Sequence, residues 1–215
     1  MYGERGNACR DIYSRCDECR VYLWKGEEMT SKTHVLGGMA LGIGGYMYSQ
    51  KMGLTIDGVS PILQLGIILP YAIWSSTLPD LDQDNDDVAE RNPINLVLQK
   101  FFNLIRAGHR SAKSHIYPML VALVCYVLCL RGVMTNYIPG AGGSILQLIT
   151  LGMFLGLFSH FLLDIMTEAG VQVGRIRLRI VPRMAMFGTG TTYELVVRRL
   201  LYVVCCALLV LVFRG

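Results

Sequence analysis

Charge is scarce in this chain. Asp, Glu, Lys and Arg make up 17% of its 215 residues, whereas a water-soluble domain carries about a quarter. Hydrophobic residues account for 53%, which excludes an ordinary soluble globule. A strong excess of one sign is missing too. The net charge is +4, so nothing in the balance argues for nucleic acid. Histidine is rarer still, with four in the whole sequence. The first 30 residues are polar and charged and hold no apolar stretch, so no cleavable signal peptide is expected. Cysteine is not scarce, at seven. Cys125, Cys129, Cys205 and Cys206 nonetheless fall within apolar runs and read as small core hydrophobes rather than disulfide partners.

What the chain does have is long apolar segments. A membrane-spanning helix needs about 20 such residues. Residues 59–78 and 145–165 meet this, 116–138 meets it with Arg131 as an interruption, and 195–213 meets it if Arg198 and Arg199 snorkel. Residues 35–49 are short and glycine-rich, so they form either a span or a re-entrant helix. The expected fold is an all-α membrane protein with about four to five transmembrane helices. Residues 29–215 form the integral membrane domain, and residues 1–28 a flexible extension. Within that extension Cys9, Cys16 and Cys19 resemble part of a zinc knuckle, but no fourth ligand stands near except His34.

Basic residues fix an orientation. Arg5, Arg10, Arg15, Arg20, Lys25 and Lys32 precede the first segment. Arg91, Lys100, Arg106, Arg110 and Lys113 lie between the second and third, and Arg175, Arg177, Arg179, Arg183, Arg198 and Arg199 are counted between the fourth and fifth. The opposite ends carry only Lys51 and Arg131. By the positive-inside rule the basic loops and the N-terminus are cytoplasmic. This topology rests on Lys and Arg alone, yet it gathers His34, Asp80, Asp82, His109, His115, His160 and Asp164 at one face. Histidines and carboxylates that meet in this way are a candidate polynuclear metal site.

Each motif also has a plainer reading. His160 and Asp164 share a helix face at a spacing of four. They can grip one ion, the aspartate can orient the imidazole, or the pair can serve packing. Pro79-Asp80-Leu81-Asp82 ends a span and offers hard oxygen donors, or is simply an acidic helix end. The acids beyond it do not make a calcium loop, because Asn85 and Arg91 stand where Gly and Glu are required. His109, Arg110, Lys113 and His115 combine imidazoles with cations suited to a phosphate oxygen, or form a basic loop on anionic lipid. Gly37, Gly38, Gly42, Gly44 and Gly45 let another helix approach closely and draw His34 inward. Residues 175–180 alternate Arg with Ile or Leu, as in a strand with a basic face, and Gly188 and Gly190 suit the turn of a small cytoplasmic β-hairpin. Glu194 follows that stretch within reach of the site.

Thr33-His34 with Gly37, Leu78-Pro79-Asp80-Leu81-Asp82, His109-Arg110 with His115, and Ser159-His160 with Asp164 together resemble the YdjM-like family. Its members are inner-membrane proteins described as metal-dependent hydrolases. The resemblance covers roughly residues 29 to 200. Two departures stand out: Gln83 replaces a histidine common in the family after the second aspartate, and His109 and His115 are six apart instead of five.

The expected function is a membrane-bound hydrolase in which His34, Asp80, Asp82, His109, His115, His160 and Asp164 hold one or two divalent ions (zinc, manganese or iron). Asp82, Arg110, Lys113 and Glu194 are the candidate catalytic residues. A site at the lipid boundary favours a phosphoester of a membrane lipid or lipid-linked substrate. Two other readings are a non-enzymatic regulatory or lipid-organising protein with a structural metal, and a metal or proton transporter. The transporter reading predicts ligands deep in the spans, whereas here they cluster at one end.

Overall fold

A computed structural model describes residues 31–53, 59–82, 93–104, 111–134, 137–138, 140–167, 169–173, 175–180 and 192–214. Among these residues the helices are α1 (Ser31–Lys51), α2 (Pro61–Ser75), α3 (Pro93–Leu104), α4 (Ile116–Met134), α5 (Gly140–Ile165) and α6 (Thr192–Arg214). A 3-10 turn, Leu78–Asp82, follows α2, and strands β1 (Val171–Val173) and β2 (Ile176–Leu178) follow α5. The fold is thus an all-helical membrane architecture with one small antiparallel hairpin.

Among the described residues four segments are long and apolar enough to cross a membrane: Pro61–Leu81, Ile116–Val133, Gly140–Ile165 and Thr192–Arg214. Helix α1 is not apolar enough, yet its 21 residues would reach about 31 Å at 1.5 Å per residue, roughly the hydrocarbon thickness. Its position explains its composition. It packs against α2, α5 and α6 and buries Thr33, His34, Gly37, Gly38 and Ser49. A helix surrounded by protein needs no lipophilic surface, so hydropathy understates it. By contrast only 6% of the α4 and α6 windows is buried, against 50% for α5. Helix α5 is the central post and α4 and α6 are the lipid-facing walls.

Glycine sets how closely the inner helices meet. A Cβ on Gly38 would stand 2.6 Å from the Ala72 carbonyl oxygen, and one on Gly156 would collide with the same oxygen and with Ser75 Oγ. Helices α1 and α5 therefore both rest on one stretch of α2. Gly44, by contrast, faces open space, so it plays no part in close packing. Apolar contacts fill the rest. Ile43, Tyr46, Leu65, Ile68 and Leu151 join α1, α2 and α5, and Leu78, Leu81, Phe102, Ala122 and Leu157 seat the 3-10 turn and α3 on α4 and α5.

The sequence reading does not anticipate α3. It is amphipathic in an unusual sense, since Ile94, Val97, Phe101 and Leu104 form an exposed apolar stripe while Phe102 and Asn95 turn inward. The Trp74 indole N–H donates to Asn95 Oδ1 at 2.8 Å and pins α3 to the end of α2. An apolar stripe presented outward at the end of a membrane bundle suits the acyl–headgroup boundary. The hairpin also differs from expectation. Strand Ile176–Leu178 pairs backward with Val171–Val173, with Val173 opposite Ile176, so the strand partner precedes the basic strand. Gly188 and Gly190 lie outside the described residues, as does the extension with Cys9, Cys16 and Cys19.

Candidate metal centre

Alternation of the crossing helices brings the starts of α1, α4 and α6 and the ends of α2 and α5 to one face. His34 lies in the first turn of α1, His115 immediately before α4, and His160 and Asp164 in the last turns of α5. Asp80 sits in the 3-10 turn after α2. Each of the three histidines and Asp164 is at most 1% exposed, while Asp80 is the partly open edge of the group at 14%.

Asp164 is the hub. Its Oδ2 stands 2.7 Å from His115 Nε2 and 3.4 Å from His160 Nε2, and its Oδ1 stands 3.7 Å from His34 Nε2. Asp80 Oδ1 lies 3.4 Å from the same His160 Nε2. The His34 and His160 rings stack at 3.8 Å, with His115 set edgewise at 5.0 Å from His160. Ligand atoms of His34, Asp80 and His160 converge closely enough to hold one ion, as do those of His115, His160 and Asp164.

The tautomer of His160 decides what this arrangement wants. Its Nδ1 lies 2.6 Å from the Ser76 carbonyl oxygen. A carbonyl only accepts, so Nδ1 donates. On a neutral ring Nε2 is then a lone pair facing two carboxylate oxygens at 3.4 Å, and it makes no hydrogen bond. Three acceptors around one buried point repel each other unless a cation, a proton or a metal ion, lies among them. The spacing bears on which. Imidazole nitrogen and carboxylate oxygen bind zinc at about 2.0–2.2 Å, which puts neighbouring tetrahedral donors roughly 3.3–3.6 Å apart. The two 3.4 Å separations at His160 fall within that range and the 3.7 Å between His34 and Asp164 lies just beyond it, all longer than usual hydrogen bonds. His115 at 2.7 Å is in ordinary hydrogen-bond contact with Asp164. Its Nδ1 meets Ser114 Oγ at 2.9 Å, so it orients the aspartate in the manner of an outer partner.

Local sequence explains the precision. Ser111 bridges to Gln172 of β1, docking the turn that carries His115 onto the hairpin. Thr167 donates its hydroxyl to the Asp164 carbonyl at 2.7 Å and receives Gly170 N–H, closing α5 just beyond the hub. Ser76, Ser114 and Thr167 were not among the residues singled out by sequence. Ser114 adjoins a candidate ligand, but a backbone carbonyl such as that of Ser76 leaves no trace in the sequence.

Other expected site residues fall elsewhere. Asp82 ends the 3-10 turn, and its side chain lies, with His109 and Arg110, outside the described part of the structure. Lys113 is exposed in the turn before His115. Glu194 is buried, but its Oε1 accepts from Thr33 Oγ1 at 2.8 Å, and it is not among the converging ligand atoms. It ties the start of α6 to the turn of α1 that carries His34, where a helix N-terminus favours a carboxylate. Thr33→Val is expected to cost about 1.5–3 kcal/mol of stability, the usual worth of a hydrogen bond to a charged group. Thermal unfolding in detergent reads this as a lowered midpoint.

Fold and site together define a polytopic helical membrane protein with a buried histidine–carboxylate cluster at one face. The profile described as YdjM inner membrane protein matches residues 29–214, and the chain belongs to that family. No curated protein and no solved structure matches it.

Proposed function

We propose that the cluster binds a divalent metal ion and that the protein is a metal-dependent hydrolase of phosphoesters on lipid or lipid-linked substrates. The carrying observation is His160. Its Nδ1 is committed to the Ser76 carbonyl and its Nε2 faces Asp80 and Asp164 at ligand-like separations. His34, Asp80, His160 and Asp164 would hold the ion, with His115 steadying Asp164. Asp82 and His109 would complete a second position. When bound, such an ion supplies Lewis acidity and a more acidic water. Asp80, the partly open member, marks the side from which a substrate would enter. Arg110 and Lys113 would meet its negative charge, and Glu194 would support the site by holding α1. The basic ends at this face, including Lys32, Lys100 and Arg177, support a cytoplasmic placement under the positive-inside rule.

The near-complete burial of His34, His115, His160 and Asp164 favours one alternative, a structural ion that clamps the helix ends of a non-catalytic protein, since structural sites are closed by protein ligands. Metal analysis of detergent-purified protein, with His160→Ala and Asp80→Ala alongside, tests the common part. Near-stoichiometric zinc, manganese or iron in the wild type, lost in His160→Ala, is expected. An absence of metal after reconstitution would sink both readings. Turnover of phospholipid or lipid-linked phosphoesters by the loaded protein then separates enzyme from clamp.

A further inference from the structure

Beside the cluster, on the outer side of α1, runs an open groove that the hydrolytic reading does not use. Its larger part encloses about 660 Å³ between α1, α2 and α6. A second hollow of about 470 Å³ continues along α6. Leu36 and Arg198 line both. The walls are mostly apolar, with Val35 and Leu36 of α1 facing Ile73 and Trp74 of α2. Lys32 and Arg198 line the larger part, and Arg199 joins in the smaller.

Charge in this place needs an explanation. Arg198 and Arg199 sit in the second turn of a segment apolar enough to cross the membrane, where arginine is costly unless it reaches the interface or finds an anion. Among the described residues neither forms an ion pair, and the same holds for Lys32. Among the described residues the acid of the same helix, Glu194, is buried against Thr33. Their counter-charge therefore comes from outside the described protein. An open groove that is mostly apolar and lined by cations with no ion-pair partner among the described residues is complementary to one kind of molecule.

We infer that this groove is a binding site for an anionic phospholipid, with the phosphate between Lys32 and Arg198 and an acyl chain along Leu36, Ile73 and Trp74. Long basic side chains lie along apolar walls and lift their charged ends to headgroup level, which suits both cations. The site lies within two residues of the cluster or its support on two elements. Lys32 precedes Thr33 and His34, and Thr77, also in the lining, follows the Ser76 that holds His160. The same turn of α1 thus offers His34 to the interior and Lys32 to the groove. Lipid retention here does not depend on turnover at the cluster.

The test is native mass spectrometry and thermal unfolding of the full chain. Wild type, Lys32→Gln/Arg198→Gln and Arg214→Gln would be reconstituted in vesicles of phosphatidylcholine with or without phosphatidylglycerol. Wild type is expected to retain one phosphatidylglycerol in preference to phosphatidylcholine and to unfold at a higher temperature in its presence. The double variant is expected to lose that preference by about 30-fold, roughly fivefold per cation near the membrane surface. Arg214→Gln, which removes a cation at the far end of α6, keeps it. Metal content of the double variant equal to wild type shows that the fold is intact. Equal retention of the two lipids by wild type, equal retention by the double variant, or saturation by inorganic phosphate alone would each overturn the proposal. None of these outcomes bears on metal binding at Asp164.

Discussion

Asp164→Asn is expected to strip the protein of divalent metal while leaving its helices assembled. The carboxylate faces His34, His115 and His160 at 3.7, 2.7 and 3.4 Å, so it supplies negative charge to every imidazole in the group. Asparagine keeps the shape and both polar ends. Its amide oxygen can accept from His115 Nε2–H, and its amide nitrogen can donate towards His34. The hydrogen bonds that hold the start of α4 to the end of α5 are therefore largely replaced. What cannot be replaced is the charge that attracts a cation into a dry pocket. Loss of an outer-shell partner alone typically costs 10–100-fold in metal affinity, so removal of the hub is expected to weaken binding by more than about 100-fold. Titration with zinc or manganese, read by metal analysis after desalting, checks this. Thermal unfolding without added metal checks that the variant is folded. A variant that retains wild-type metal stoichiometry would remove Asp164 from the ligand set and leave the histidines as a packed polar network.

Much of the site was legible because a membrane enforces a simple geometry. Apolar runs can only cross, so polar residues at their ends must collect at two faces. Counting Lys and Arg suffices to tell the faces apart, and His34, Asp80, His115, His160 and Asp164 then fall on one. The sequence cannot say how they divide the work. His115 and His160 look equivalent as letters. One is fixed by the hydroxyl of the residue before it and hydrogen-bonds the hub, while the other is fixed by a carbonyl at the end of a different helix and presents a lone pair to it. Those roles depend on ångström-level placement that local patterns do not encode.

Two misreadings of local structure have the same origin. Helix α1 looks marginal because hydropathy measures fitness for lipid, and α1 meets protein on three sides. Helix α3 falls in a stretch that reads as a basic loop, although it has Pro93 at its start and Ile94, Val97, Phe101 and Leu104 at helical spacing. At 12 residues it is too short to cross, and a search for spans discards it. For the hairpin, the alternation of residues 175–180 is a real strand signal, but alternation names a strand without naming its partner. The partner, Val171–Val173, is three residues long, too short to show a pattern of its own.

Gly156→Val is expected to do the most damage of any change outside the cluster. A Cβ at this position would overlap the Ala72 carbonyl and Ser75 Oγ on α2. The obstruction is backbone in the middle of a crossing helix, not the tip of a side chain that can swing away. Either α5 or α2 has to withdraw. Overpacking of a well-filled core usually costs about 1–3 kcal/mol and sometimes more, and here the β-branched side chain adds bulk at a point already touched by α1 through Gly38. The consequence reaches the site directly. Gly156 lies one turn before His160, and Ala72 one turn before Ser76, so separating these turns opens the 2.6 Å contact between His160 Nδ1 and the Ser76 carbonyl. It also moves Asp80 away from His160 Nε2. The variant is expected to unfold at a markedly lower temperature in detergent and to lose metal in proportion. Gly44→Ala is the control, because that position faces open space and alanine favours the helix by up to about 1 kcal/mol. It should match or exceed wild type in both measurements. A Gly156→Val protein with wild-type stability and metal content would mean that α2 and α5 do not meet as closely as their glycines allow, and that His160 is held by something other than the α2 backbone.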